Sequence, residues 1–286
     1  MGFFSIRQKP AETKNMLYIY QHTPKTGGSS LKLAIESQYK KNELLYIYDI
    51  ENRVTQKDFA WYQKYYDDLP NKKKQSLKCI LGHSAGGFAG AVQQPFTVFT
   101  LLRDPVDRAL SLYYYGISLP DDTIYKFARI IKKYNLTLEQ IFSDDLKNYI
   151  PADDPYSPFN EFFNGQIRSI LRPLRHQIRW FENLPGDENQ VQYEQEALDA
   201  AFALIERCYV VGFQEKFNDS IELFAHKFGW KGDLYHRVNI TPKRQLVDEI
   251  SSGLKQKIVE HNQLDFALYQ NAFAKFQDKI RNIPKK

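Results

Sequence analysis

The sequence predicts an α/β fold, a mainly parallel sheet flanked by helices, with a helical and irregular insertion over the ligand cleft. Three observations predict it. Short β-rich runs alternate with helical patterns along most of the chain. Several of those runs are almost continuously apolar, as expected of parallel strands covered on both faces. The length, 286 residues, suits one such domain with an insertion.

In chain order, the strand runs are Leu17–Tyr20, Leu44–Tyr48, Leu77–Leu81, Thr97–Leu102 and Tyr209–Phe213. Apolar residues recur at helical spacing in Ser29–Tyr39, Pro105–Tyr115, Glu194–Arg207 and Lys216–Phe228. The stretch 116–189 breaks the alternation. It is polar and carries Pro120, Pro151, Pro155, Pro158, Pro173 and Pro185, so it reads as an insertion covering the acceptor side of a cleft. Residues 16–115 and 190–276 form the core of a single domain, and the tail Leu246–Phe276 has the spacing of a helix packed on the sheet.

Composition narrows the class. A hydrophobic share of 43% can build a large core, which excludes wholesale disorder. A net charge of +5 is too mild to indicate nucleic-acid binding by itself, yet it fits a protein with anionic ligands. The only cysteines, Cys79 and Cys208, sit in apolar runs without metal-ligand or disulfide spacing and read as reduced core thiols. His, Cys, Asp and Glu form no recognised metal-ligand pattern, and no run approaches the length of about 20 apolar residues that crosses a bilayer.

Two motifs carry the chemistry. The first strand runs into His22-Thr-Pro-Lys-Thr-Gly-Gly-Ser-Ser30, and a helical pattern follows. Strand, glycine loop and helix form a P-loop-type phosphate cradle. Glycine lets the backbone approach an anion, and the free N–H groups of the helix start point at it. Lys25 adds a positive charge, and Thr26, Ser29 and Ser30 add hydroxyls. The loop is not a Walker A sequence, because Lys25 precedes Gly27 and Gly28 rather than following them. The second motif ends the strand before Arg103-Asp-Pro-Val-Asp-Arg108 and continues to Ser111. Asp104 suits an N-cap and Pro105 the first helical position. Arg103 therefore stands at the carboxyl end of a strand, where open α/β sheets bind ligands, and an arginine with a nearby serine can grip a phosphate. Asp104, Asp107 and Arg108 read as local capping and ion-pair residues, and Tyr113, Tyr114 and Tyr115 as core.

Together these motifs resemble the sulfotransferases that use 3′-phosphoadenosine 5′-phosphosulfate (PAPS), and most of all the branch of heparan sulfate 2-O-sulfotransferases and related bacterial glycan enzymes. Segments Phe162–Arg168, Val211–Ser220 and Val238–Arg244 extend the likeness over residues 16 to 276. The resemblance implies that Lys25, Thr26, Gly27, Gly28, Ser29 and Ser30 hold the 5′-phosphosulfate and that Arg103 and Ser111 hold the 3′-phosphate. It further implies that Thr241, Lys243 and Arg244 close over the cofactor. His83 follows a strand in Leu-Gly-His-Ser and matches the family's Gly-His, which implies a general base; Lys25 would stabilise the leaving oxygen. Where the 2-O-sulfotransferase pattern has a second histidine this chain has Leu81, which puts a two-histidine arrangement in doubt. His22 reads as shaping the loop.

Sulfuryl transfer to a hydroxyl acceptor, expected to be a glycan, follows from this likeness. Arg168, Arg172, Arg175 and Arg179 are spaced as one helical face, although Pro173 interrupts it. They suit an anionic acceptor, or else form a solvated, salt-bridged face. Two other readings stay open: a P-loop kinase or NTPase, which should show GK[ST], and a non-catalytic binding protein on the same scaffold. With no apolar leader in its first residues, the chain is expected to be cytoplasmic.

Overall fold

The computed structural model describes residues 16–48, 58–150, 159–174, 177–181, 189–232, 234 and 244–284. Five strands, β1 (Leu17–Gln21), β2 (Leu44–Tyr46), β3 (Cys79–Gly82), β4 (Phe96–Leu102) and β5 (Tyr209–Phe213), form one sheet in the order β2-β3-β1-β4-β5. Every pairing is parallel, with Ile19 opposite Ile80 on one side and Val98 on the other. All five residues of β1 are buried, as the central strand of a three-layer fold requires.

Alternation along each strand sends successive side chains to opposite layers. Tyr18, Tyr20, Leu81, Phe99 and Leu101 pack against α1 (Gly28–Gln38) and against α10, which is assigned below. Leu17, Ile19, Ile80, Val98, Leu102 and Phe213 face the other core, which also takes Tyr62 and Tyr66 of α2 (Phe59–Asp67). After α3 (Asn71–Ser76), strand β3 begins at Cys79, two residues later than the apolar run suggests. The pair α2 and α3 has no counterpart among the sequence patterns. The helix α4 (Pro105–Ser118) starts as expected, with Asp104 accepting from the Asp107 N–H at 3.0 Å and Pro105 in the first turn.

The stretch 116–189 divides into two parts. Its first part, α5 (Lys126–Lys133), α6 (Leu138–Ile141) and α7 (Phe159–Phe162), builds a separate apolar cluster on α4. Its second part, α8 (Gly165–Leu171) and the turn to Leu174, enters the main core through Ile167, Ile170, Leu171 and Leu174. There it meets α9 (Gln190–Cys208). The strand β5 then leads into α10 (Phe217–Phe228), which ends at Gly229 with φ 71°.

The tail is two helices rather than one. Ser252–His261 (α11) packs on α4, whereas Gln263–Arg281 (α12) packs on the sheet layer through Leu264, Leu268, Ala272 and Phe276. The break is fixed by reciprocal capping. Asn164, at φ 52°, accepts from the Leu264 and Asp265 N–H groups at the start of α12. Asp265, fully buried, accepts from the Gln166 and Ile167 N–H groups at the start of α8 at 2.9 and 2.8 Å. Each helix thus supplies the cap of the other, and the charge of Arg108 offsets that of Asp265. Asp265→Ala would leave two helix-start N–H groups without their partner. Stability should fall by about 2–5 kcal/mol, since each buried donor left unsatisfied costs about 1–3 kcal/mol. Urea unfolding measures it, and a loss below about 1 kcal/mol would show that the carboxylate is not needed.

Candidate active site

The strands β1 and β4 are neighbours, yet the chain leaves them in opposite directions, toward β2 and toward β5. This opens a crevice at their carboxyl ends, the usual ligand position in such sheets. Both motifs emerge there.

In the loop after β1, Lys25 (φ 67°) and Gly27 (φ 87°) take left-handed conformations. A lysine in that region is strained by about 1–3 kcal/mol, which a surrounding structure must impose. Two contacts impose it: Arg103 Nη1 donates to the Lys25 carbonyl at 3.1 Å and Arg108 Nε to the Pro24 carbonyl at 3.2 Å. The Thr26 hydroxyl donates to the Thr23 carbonyl at 2.8 Å, so it closes the loop on itself. Only its backbone N–H remains for the anion-binding part that the sequence reading gave its side chain. Gly27 caps α1 and Gly28 begins it. Ser29 is exposed and Ser30 is buried in the first turn. A Cβ at Gly28 would lie 1.9 Å from His22 Nε2, so no side chain fits without moving that ring.

Arg103 is buried at the end of β4. Its Nε and Nη2 hold Asp107 Oδ2 at 2.7 and 2.5 Å, and Arg244 Nη1 holds Oδ1 of the same carboxylate. Asp107 is therefore more than a local partner: it gathers two arginines from distant parts of the chain. Ser111 is buried one helical turn further along α4, and Tyr115 one turn beyond that. The Lys25 ammonium rests 3.7 Å from the Tyr115 ring centroid, a cation–π contact. Tyr115 thus belongs to the site as well as to the core cluster in which the sequence placed it. Burial first, then the charges of Arg103, Arg108 and Arg244, push the Lys25 pKa down to about 8.

Arg108, 1% exposed, does more than cap a helix. It ties the Pro24 carbonyl to the Glu161 carbonyl of the insertion and packs on Gly165, where any Cβ would lie 2.5 Å from its Nη2. Asp107, Arg108 and Tyr115 could have been found in the sequence from their three- and four-residue offsets around Ser111.

Across β1, His83 follows β3. Its Nδ1 lies 2.8 Å from the His22 carbonyl oxygen. A carbonyl only accepts, so Nδ1 carries a proton, and in the neutral form of the ring the lone pair is on Nε2. The His22 ring stacks on His83 with centroids 4.5 Å apart, and its Nδ1 meets the Tyr48 hydroxyl at 3.0 Å. Burial, with the charges of His83, Lys32 and Lys25, holds His22 well below the usual histidine range, so it stacks as a neutral ring. The sequence reading of His22 as a loop-shaping residue understates this second contact. Leu81 is buried in β3, facing the α1 layer, and it is His22 that lies beside His83.

Arg168, Arg172 and Arg179 do not share a helical face. α8 ends at Leu171 and a 3₁₀ turn takes Arg172–Leu174, because Pro173 cannot continue an α-helix. Arg168 stacks on Trp180 at 4.1 Å and donates to the Phe163 carbonyl, while Arg179 pairs with Glu196 at 3.3 Å. Arg172 is half-buried at the turn. Arg175, Thr241 and Lys243 lie outside the described residues. Among the described residues no group of three or more His, Cys, Asp or Glu is placed to hold a metal ion, and no helix is long and apolar enough to cross a membrane.

A parallel α/β sheet with a left-handed glycine loop after its central strand, and an arginine at the end of the next, gathers cationic side chains and helix-start N–H groups at one edge. The family model described as the sulfotransferase family matches residues 11–272. The chain belongs to the sulfotransferase family, and its general chemistry is sulfuryl transfer to a hydroxyl-bearing acceptor. No curated protein matches it.

Gly28→Ala should displace the His22 ring and destabilise the fold by about 1–3 kcal/mol, the range for inserting a methyl into packed surroundings. Thermal unfolding and the His22 and His83 imidazole NMR shifts report it. An unchanged melting curve with unchanged shifts would mean that the loop yields freely.

Proposed function

We propose that the protein transfers a sulfuryl group from PAPS to a hydroxyl of a glycan, with His83 as general base. The observation that carries the reading is the orientation of His83. Its Nδ1 donates to the His22 carbonyl, so the neutral ring carries its lone pair on Nε2, at the carboxyl end of β3 and next to β1 with its glycine loop.

The residues fit the donor. A nucleotide with phosphates at both ends needs two anion sites, and the groups at the ends of β1 and β4 would supply them. Lys25, Gly27, Gly28, Ser29, Ser30 and the first N–H groups of α1 suit the 5′ end. Arg103 and Ser111 suit the 3′-phosphate, with Arg244 reaching the same carboxylate as Arg103. That contact supports reading Thr241, Lys243 and Arg244 as a segment that closes over the nucleotide. When bound, PAPS supplies the sulfuryl group and a phosphate leaving group.

The chain's own residues then have separate tasks. His83 Nε2 takes the proton of the acceptor hydroxyl as its oxygen attacks sulfur, which raises the nucleophilicity of a poor nucleophile. The neutral His22 ring holds the imidazole in place and adds no competing positive charge. Lys25 moves its charge toward the oxygen that leaves, where negative charge builds. The kinase alternative lacks GK[ST], and the phosphate loop departs from Walker A at its lysine.

Two outcomes test this. His83→Ala should keep the affinity for the desulfated product PAP within about twofold while lowering single-turnover transfer by about 10²–10⁴-fold. Lys25→Ala should reduce both affinity and turnover. Near-normal turnover in the His83 variant would remove it as base. The second outcome concerns pH. Lys25 in the free protein has a pKa of about 8, and a bound anion must raise it. Binding therefore takes up a proton above pH 8, and PAP affinity should decline as pH rises from 8 to 10. Calorimetry in buffers of different ionisation heat reads that uptake. Lys25→Arg, charged throughout, should flatten the decline; a flat profile in the wild type would refute the assignment.

A further inference from the structure

The charge of Lys25 meets a ring face instead of a carboxylate. Its ammonium lies 3.7 Å from the Tyr115 ring centroid. Among the described residues no carboxylate forms an ion pair with it. The acids around Arg103 are engaged elsewhere. Asp107 holds Arg103 and Arg244, Asp104 caps α4, and Glu215 accepts from the Asp104 N–H at 2.5 Å. The other charges that bear on Lys25 are the cations Arg103, Arg108 and Arg244, and His22 of its own loop is held neutral.

The Tyr115 ring is fixed from behind by the insertion. Tyr125, just before α5, packs on it edge-on with centroids 5.8 Å apart and shares a side-chain hydrogen bond with it. Tyr125 lies 6.1 Å from Phe127, and Phe127 fills the space beside Gly116, where an added Cβ would meet its ring at 2.8 Å. Burial, then the bond to Tyr125, raise the Tyr115 hydroxyl to about 12, so the ring stays neutral while Lys25 titrates.

Burial and three guanidinium groups favour the uncharged amine of Lys25, whereas an aromatic face favours the ammonium. A carboxylate would favour it more strongly, but it would also repel an incoming anion. The ring stabilises the cation and adds no negative charge, so the crevice keeps its attraction for anions. We propose that Tyr115 is a positioning residue for the transfer: its ring face stands in for a counter-ion and keeps the Lys25 ammonium charged and in place until an anionic donor takes it over. The assignment rests on the reading of Lys25 as a donor-side cation. It gives the insertion, through Tyr125, a part in setting the donor loop.

The experiment follows the Lys25 side chain by NMR in the nucleotide-free full chain with labelled lysine, its signal assigned by its loss in Lys25→Arg. The Lys25 ε-methylene protons of the wild type, set against the ring face, should resonate upfield of other lysines, and this needs no variant. Tyr115→Leu should lower the Lys25 pKa by about 0.5–1.5 units, the size of a partly desolvated cation–π contact. Tyr115→Phe, which keeps the ring and loses the bond to Tyr125, should keep the wild-type titration. PAP affinity of Tyr115→Leu at pH 8 should fall by about 2–15-fold, following the charged fraction of Lys25, and the deficit should shrink toward pH 6. A merely structural role would not move the titration of one lysine or make the deficit depend on pH. Unshifted ε-protons, an unchanged titration in Tyr115→Leu, or equal shifts in the Leu and Phe variants would overturn the proposal. A shifted titration to which PAP affinity is indifferent would instead strike the donor reading.

Discussion

A small layer of buried polar side chains at the carboxyl edge of the sheet holds the site loops in register. Gln21, fully buried at the end of β1, donates from its amide to the His83 and Ser169 carbonyls and accepts from the Gly86 N–H. Thr100 of β4 donates to the Gln21 carbonyl, and Thr23 reaches Ser169 and Thr100. The Gln166 amide spans the N–H and the carbonyl of Arg103. Buried polar groups are costly unless paired, and a fully paired set admits few alternative arrangements. Here the pairing joins the loop after β1, the loop after β3, the end of β4 and helix α8. His83, the loop after β1 and Arg103 therefore share one rigid frame.

Electrostatics set the character of that frame. Burial and then the charges of Arg103, Arg108 and Arg244 lower the pKa of Lys25, and Asp107 is the carboxylate that Arg103 and Arg244 share. Clustering cations in a partly buried crevice is unfavourable in itself, and the depressed pKa of Lys25 is the measure of it. An anion bound beside these cations would relieve that repulsion. On the other side of β1 the His22 ring, held neutral mainly by burial, stacks on His83 and meets the Tyr48 ring edge-on.

Much of the site was legible because its motifs are local. Loop glycines, Lys25, the Asp104 cap and Pro105 act within a few residues of one another, so spacing alone placed Arg103 and the phosphate loop at strand ends. Arg168, Arg172 and Arg179 were misleading for a tertiary reason. Their spacing is helical, but Pro173 ends the helix, Trp180 takes one guanidinium and Glu196 another. Periodicity reports which residues could share a face, not whether the face exists or what occupies it.

The sequence by itself determined the strand–helix alternation, the parallel sheet, the glycine loop after β1 and the strand-end arginine, since these follow from hydrophobic period and turn chemistry between near neighbours. Only the tertiary structure decided which partners those groups meet. The contact between Arg108 and Pro24 spans 84 residues, and that between Arg244 and Asp107 spans 137. The stack of His22 on His83 joins two strands whose adjacency no local pattern encodes. Reciprocal capping by Asn164 and Asp265 likewise exists only once α8 and α12 are packed. Such contacts depend on the order of strands in the sheet, which is set by the burial of whole layers rather than by the residues that make the contact.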